Sequence, residues 1–95
     1  METRVKVSLA EVAKVKDFVN TVSKYDCDFD LVSDHYVIDG KSIMGIFSLN
    51  LSKPIDLDIR AISEKQASDI LEDLKPFLVW HLKNPSKGKQ LRNIQ

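Results

Sequence analysis

IDLDIRAI, Ile55 to Ile62, opens with a strict alternation in which Ile55, Leu57 and Ile59 take turns with Asp56, Asp58 and Arg60. A period of two puts successive side chains on opposite faces of a strand, so this segment has one face for a core and one for water. Strands of that kind belong to a sheet covered on one side only, which is the common condition of antiparallel sheets. Pro54 suits the strand entry, because it lacks the N–H that a ladder would use.

Working outward, RVKVSL (Arg4 to Leu9) and CDFDLVS (Cys27 to Ser33) show the same alternation, and Tyr36, Val37 and Ile38 make a brief further strand. Asp34-His35 supplies a short turn between the second and third strands, which therefore read as a hairpin, and Asp39-Gly40 ends it. Lys6, Asp28 and Asp30 then join Asp56, Asp58 and Arg60 on a charged, uncovered face. After the first strand the period changes, with Val12, Val15, Phe18, Val19 and Val22 recurring at three and four. This predicts a helix of about fourteen residues from Ala10 to the Tyr25-Asp26 stop. Ser63 as N-cap and Gln66 three residues on predict a capping box, followed by a helix with Ala67, Ile70, Leu71 and Leu74 inward. Pro76 is expected to kink or restart that helix before FLVWHL, Phe77 to Leu82.

With a short helix after Gly40, the order is strand, helix, strand, strand, helix, strand, helix. That is an α+β open-faced β-sandwich, a four-stranded antiparallel sheet with helices on one face. Ninety-five residues make one domain, expected over residues 1–82, with a basic tail at 83–95. Residues 1–73 carry nine basic and fourteen acidic groups, whereas 74–95 carry five basic and none acidic. The tail is read as a solvated segment or as a lure for an acidic partner. No aromatics interleave with its cations, so nucleic acid is not an expected partner.

No apolar run approaches the roughly 18 residues of a membrane span, and the N-terminus lacks the apolar core and cleavage site of a secretory signal. The single Cys27 can form neither an intramolecular disulfide nor a Cys-based metal site, and is expected as filler near the surface of a strand. A reducing, cytoplasmic setting follows as the expectation. No metal cluster, Gly-rich phosphate loop or nucleophile–base pair stands out, so neither an enzyme nor a cofactor is expected.

The stretch DGKSIMGIFSL, Asp39 to Leu49, asks for a tight turn at Gly40, a helix start at Ser42 and a close backbone approach at Gly45. It then supplies more apolar side chains than so short a helix needs. Ser42 has two readings. It is a good N-cap, its oxygen accepting from the N–H of residue 44 or 45, and it is also a place where a phosphate would meet the positive helix end with Lys41 beside it. Core packing accounts for Ile46 and Leu49, and helical spacing puts Ile43, Met44 and Phe47 together on another face, where Met and aromatic groups suit an adaptable docking surface.

SKYDCDFDL (Ser23 to Leu31), DGKSIMGIFSL and IDLDI (Ile55 to Ile59), in this order and spacing, resemble the HPr family, the phosphocarrier proteins of the bacterial sugar phosphotransferase system. The resemblance runs roughly from Arg4 to Trp80 and implies the same open-faced sandwich. It also implies docking of enzyme I and regulatory partners on Ile43, Met44 and Phe47, and Lys41 is expected to join them in partner docking. In many Gram-positive members the Ser matching Ser42 is phosphorylated by a dedicated kinase to signal carbon status. The family's phosphate-accepting His stands in a Gly-Ile-His-Ala-Arg-Pro-Ala motif. Counting back from Ser23 without a gap brings LAEVAKV, Leu9 to Val15, onto that motif, with Glu11 on the His, Ala13 on the Arg and Lys14 on the Pro. His35 and His81 are expected at the surface. The resemblance therefore points to a member without the acceptor His, similar to the catabolite-repression branch of the family and regulated through Ser42. The alternative is a phosphoryl carrier using a non-His acceptor such as Glu11.

Overall fold

The computed structural model of the protein describes residues 2–79. Four strands, β1 (Glu2–Val7), β2 (Asp28–Ser33), β3 (Tyr36–Asp39) and β4 (Ile55–Arg60), form one antiparallel sheet in the order β1-β4-β2-β3. The helices α1 (Val12–Val22), α2 (Ile43–Phe47) and α3 (Glu64–Asp73) cover one face, as the alternation of the strands requires. Val7, Phe29, Leu31, Ile55, Leu57 and Ile59 point from the sheet into a core closed by Val15, Phe18 and Val22 of α1, Ile46 of α2, and Ile70 of α3. Each of the large side chains among them contributes about 1.5–3 kcal/mol by leaving water.

The other face is a ladder of charges. The register sets Arg4 opposite Asp58 and Lys6 opposite Asp56, and also places two like charges, Asp30 and Asp58, side by side. Such a pair is unfavourable alone. Arg60 Nη2 answers Asp30 at 2.8 Å, and the Arg4 guanidinium grips both oxygens of Asp58, with Nη2 to Oδ2 at 2.8 Å. Those hydrogen bonds hold the Asp58 carboxyl below its ordinary range.

Several boundaries differ from the sequence reading. The first helix runs for eleven residues from Val12, because Glu11 keeps an extended backbone and ends the non-helical approach one residue later than Ala10. Cys27 is buried, 4% exposed, and belongs to the core rather than the surface of a strand; burial pushes its thiol pKa up. Gly40 is required by contact, not by a left-handed φ: a Cβ there would lie 3.0 Å from the Cβ of Phe29, whose carbonyl accepts the Gly40 N–H at 2.7 Å. The left-handed residue of the hairpin is Asp34, at φ 53°, a conformation that Asp tolerates. Ser63 caps α3 by accepting from Gln66 N–H at 3.0 Å, but Gln66 Oε1 accepts from Ile62 N–H, one residue before the partner a capping box would use.

Pro76 does end the helix. The chain makes a 3₁₀ turn over Lys75–Phe77 and turns back against β1, with Ser8 N–H donating to Phe77 O at 2.8 Å and Val79 N–H to Lys6 O at 3.0 Å. Phe77 buries its ring edge-to-face on Phe18, with centroids 5.7 Å apart. The expected helical restart is thus replaced by extended backbone as far as Val79. The rest of FLVWHL, the 82/83 boundary and the basic tail lie outside the described residues.

Tyr25 ties the turn after α1 to α3, donating from its hydroxyl to the Asp73 carboxylate. That hydrogen bond, first, and burial, second, push its phenol up to about 12. A raised acid pKa means that the protonated phenol stabilises the fold. Its contribution is complete below the ordinary phenol range near ~10 and is lost as pH rises through about 12. In a Tyr36→Phe variant, where Tyr25 is the one remaining tyrosine, phenolate absorbance should titrate near 12. A midpoint near ~10 in the folded protein would contradict the bond.

Candidate functional site

Two segments were singled out by sequence, and the fold places them on elements that pack together, α1 and α2. At the start of α1, Glu11 is the N-cap residue (φ −119°, ψ 145°), yet its side chain accepts no capping hydrogen bond and is exposed. Ala13, in the first turn, carries no charge. Lys14 Nζ donates to Pro76 O at 3.0 Å and lies 5.5 Å from the Phe77 ring centroid, so it pins α1 to the 3₁₀ turn. Ser8, Ala10, Glu11, Lys14 and Pro76 surround a shallow cavity of about 180 Å³. The described part of this end holds neither an imidazole nor an Arg. His35 is exposed in the β2–β3 turn, and His81 lies outside the described residues. Val12, expected to face inward with Val15 and Phe18, is 60% exposed, because the first residue of α1 stands above the core edge.

The second segment is built more tightly. Asp39 Oδ1 accepts the Lys41 N–H at 2.9 Å and Asp39 O accepts the Ser42 N–H at 3.0 Å, which turns the chain from β3 into α2. Ser42 is extended (φ −100°, ψ 101°), and its Oγ accepts from Gly45 N–H at 3.2 Å, the cap expected from sequence. Gly45 is the residue by which α2 rests on β3: a Cβ there would meet Ile38 Cγ2 at 2.7 Å. Ile46 is fully buried and anchors the helix, while Leu49 and Ile43 are partly buried against the core. Met44 is 77% exposed and Phe47 40%. Of the three residues placed together by helical spacing, two therefore face water and Ile43 is shared with the core. Lys41 turns its ammonium inward, donating to Tyr25 O at 2.6 Å and lying 5.8 Å from the Phe29 ring centroid. That contact has no signal in the sequence, because it joins residues sixteen apart across the β2–β3 hairpin.

Among the described residues no group of three His, Cys, Asp or Glu side chains converges to hold a metal ion. No described helix is long and apolar enough to cross a membrane.

The protein-family model described as the PTS HPr component phosphorylation site matches residues 11–79, most of the chain. The chain belongs to the HPr family. Among solved structures, this HPr-family protein is similar to HPr-C-His from Thermoanaerobacter tengcongensis, with 28% identity and a TM-score of 0.61 over 78% of this chain and 89% of that one. It is also similar to a phosphocarrier protein HPr from Bacillus anthracis str. Ames, with 27% identity and a TM-score of 0.56 over 82% and 95%. The four-stranded antiparallel sheet with three helices is the HPr fold, and the match to the family begins at Glu11, the N-cap of α1. An HPr-like role in the phosphotransferase system, as a phosphocarrier-type protein and not an enzyme, goes with that membership.

Proposed function

We propose that this HPr-family protein is a regulatory docking module of the phosphotransferase system, without His phosphocarrier chemistry and switched by phosphorylation of Ser42. The observation that carries the reading is the pairing, on one five-residue helix, of a buried anchor, Ile46, with the exposed Met44 and Phe47 directly after Ser42. With Ile46 buried, Ile43 partly buried against the core and Gly45 in close contact with β3, the helix is held down and leaves Met44 and Phe47 available for a partner. Phosphorylation would move the γ-phosphoryl group of ATP onto Ser42 Oγ, with the hydroxyl proton passing to a base of the kinase and ADP leaving. The product changes the charge beside the Met44/Phe47 surface without requiring the fold to change. The partners in this reading are phosphotransferase-system enzymes, an HPr kinase or a transcriptional regulator, in the cytoplasm.

Carrier chemistry at α1 needs a nucleophile and a cationic anion site. In our reading Glu11 takes the acceptor position and brings a negative charge where the phosphoryl group should sit, with Ala13 in place of the Arg. The second reading, a carrier using Glu11 as an acyl-phosphate acceptor, draws on one observation: the Glu11 side chain is exposed and makes no capping bond. Intact mass separates the two. After incubation with an HPr kinase and ATP, the wild type should gain one phosphate and Ser42→Ala none. After incubation with enzyme I and phosphoenolpyruvate, neither should gain any. Labelling from phosphoenolpyruvate that vanishes in Glu11→Gln would instead establish the carrier, and an unlabelled wild type in the kinase reaction would reduce Ser42 to a helix cap.

A further inference from the structure

We propose that Lys41 relays a charge placed on Ser42 to the corner between α1 and β2, by exchanging its bond to the Tyr25 carbonyl for one to the phosphoryl group. This rests on Ser42 as the modified residue and adds the route by which the change is felt away from it. Among the described residues Lys41 has no carboxylate partner: its ammonium is held by one neutral carbonyl, Tyr25 O at 2.6 Å, and by the face of Phe29. A phosphoserine carries about −1.5 to −2 charges at neutral pH. An ammonium bonded to such a group gains the attraction between opposite charges, which a neutral carbonyl does not offer. Lys41 is the adjacent residue, on a flexible four-carbon stem that can swing between the two acceptors.

The acceptor it would leave is structurally placed. Tyr25 closes the turn after α1, its N–H donating to Val22 O at 3.1 Å and the Lys24 N–H to Thr21 O at 3.3 Å. Its ring tilts against Phe29, with centroids 6.3 Å apart, and its hydroxyl reaches Asp73 of α3. With Lys41 withdrawn, the turn loses the side chain that crosses to it from the start of α2, and the hydrogen-bonded link from α2 to Tyr25, which in turn contacts α3, is broken. The region altered by the modification then extends from the Met44/Phe47 surface to the turn that follows α1.

The test uses the full chain with phosphoserine installed at position 42 during synthesis, so that no kinase is involved. Amide hydrogen exchange is read at Lys24 and Tyr25. Loss of a hydrogen bond to a charged group should speed exchange at both by about tenfold. Lys41→Met should do the same without the phosphate, and phosphoserine in the Lys41→Met background should add nothing. Unchanged rates in the phosphorylated wild type overturn the relay, as does an equal acceleration by phosphoserine with Lys41 already removed. Because the phosphate is built in, a negative result here is distinct from a failure of the kinase reaction above.

Discussion

Replacing Met44 and Phe47 together by Asp should weaken capture of enzyme I by about a thousandfold, measured by titration calorimetry, while the thermal midpoint stays within a few degrees of the wild type. Two side chains acting as anchors are worth about 2 kcal/mol each when truncated, and about 4 kcal/mol corresponds to three decades in Kd. The fold is spared because neither residue belongs to the core: Met44 is 77% exposed, Phe47 40%, and α2 is held by Ile46 and by the approach of Gly45 to β3. Ile43 is left alone for the opposite reason, being partly buried against the core, so that an Asp there would mix unfolding with loss of contact. Undiminished affinity in a folded double variant would remove the docking claim from α2, and with it the meaning of a phosphate at Ser42.

Gly45→Val should lower stability by about 3 kcal/mol, at the upper end of overpacking costs. For a domain of this size that is a fall in Tm of roughly 12–24 °C. The Cβ alone would stand 2.7 Å from Ile38 Cγ2 and 3.1 Å from Ser42 Oγ, so α2 must lift off β3 and the Ser42 cap must stretch. Ile38 is β-branched and stiff about χ1, and cannot swing clear. The gain in helix propensity from replacing Gly is a few tenths of a kcal/mol and does not compensate. In an Ile38→Ala background the cost of Gly45→Val should shrink by at least about 1 kcal/mol, the signature of two residues in direct contact. Additive effects would mean that the close approach is not what keeps position 45 a glycine.

The strands were legible because alternation is a local property: Ile55 to Arg60 have one apolar and one charged face whatever lies beside them. The caps at Ser42 and Ser63 were legible for the same reason, since a helix start needs only a short oxygen-bearing side chain and a free N–H two or three residues on. Helix ends were less so. Glu11 keeps the extended backbone of an N-cap residue although its side chain makes no capping bond, and the backbone after Pro76 follows β1 because Ser8 and Lys6 offer it a donor and an acceptor. Neither group is near it in sequence.

For the candidate site the division is sharper. The residue types alone determined that Asp39 to Leu49 would turn, cap and present surplus apolar side chains, and that the start of α1 carries a carboxylate with no Arg beside it. Only the tertiary structure decided which of the surplus groups face water, because that depends on where Gly45 lets α2 settle on Ile38. Only it decided that the charge of Lys41 is held at Tyr25, because that hydrogen bond exists only once β2 and β3 have paired and brought together a residue before one strand and a residue after the other.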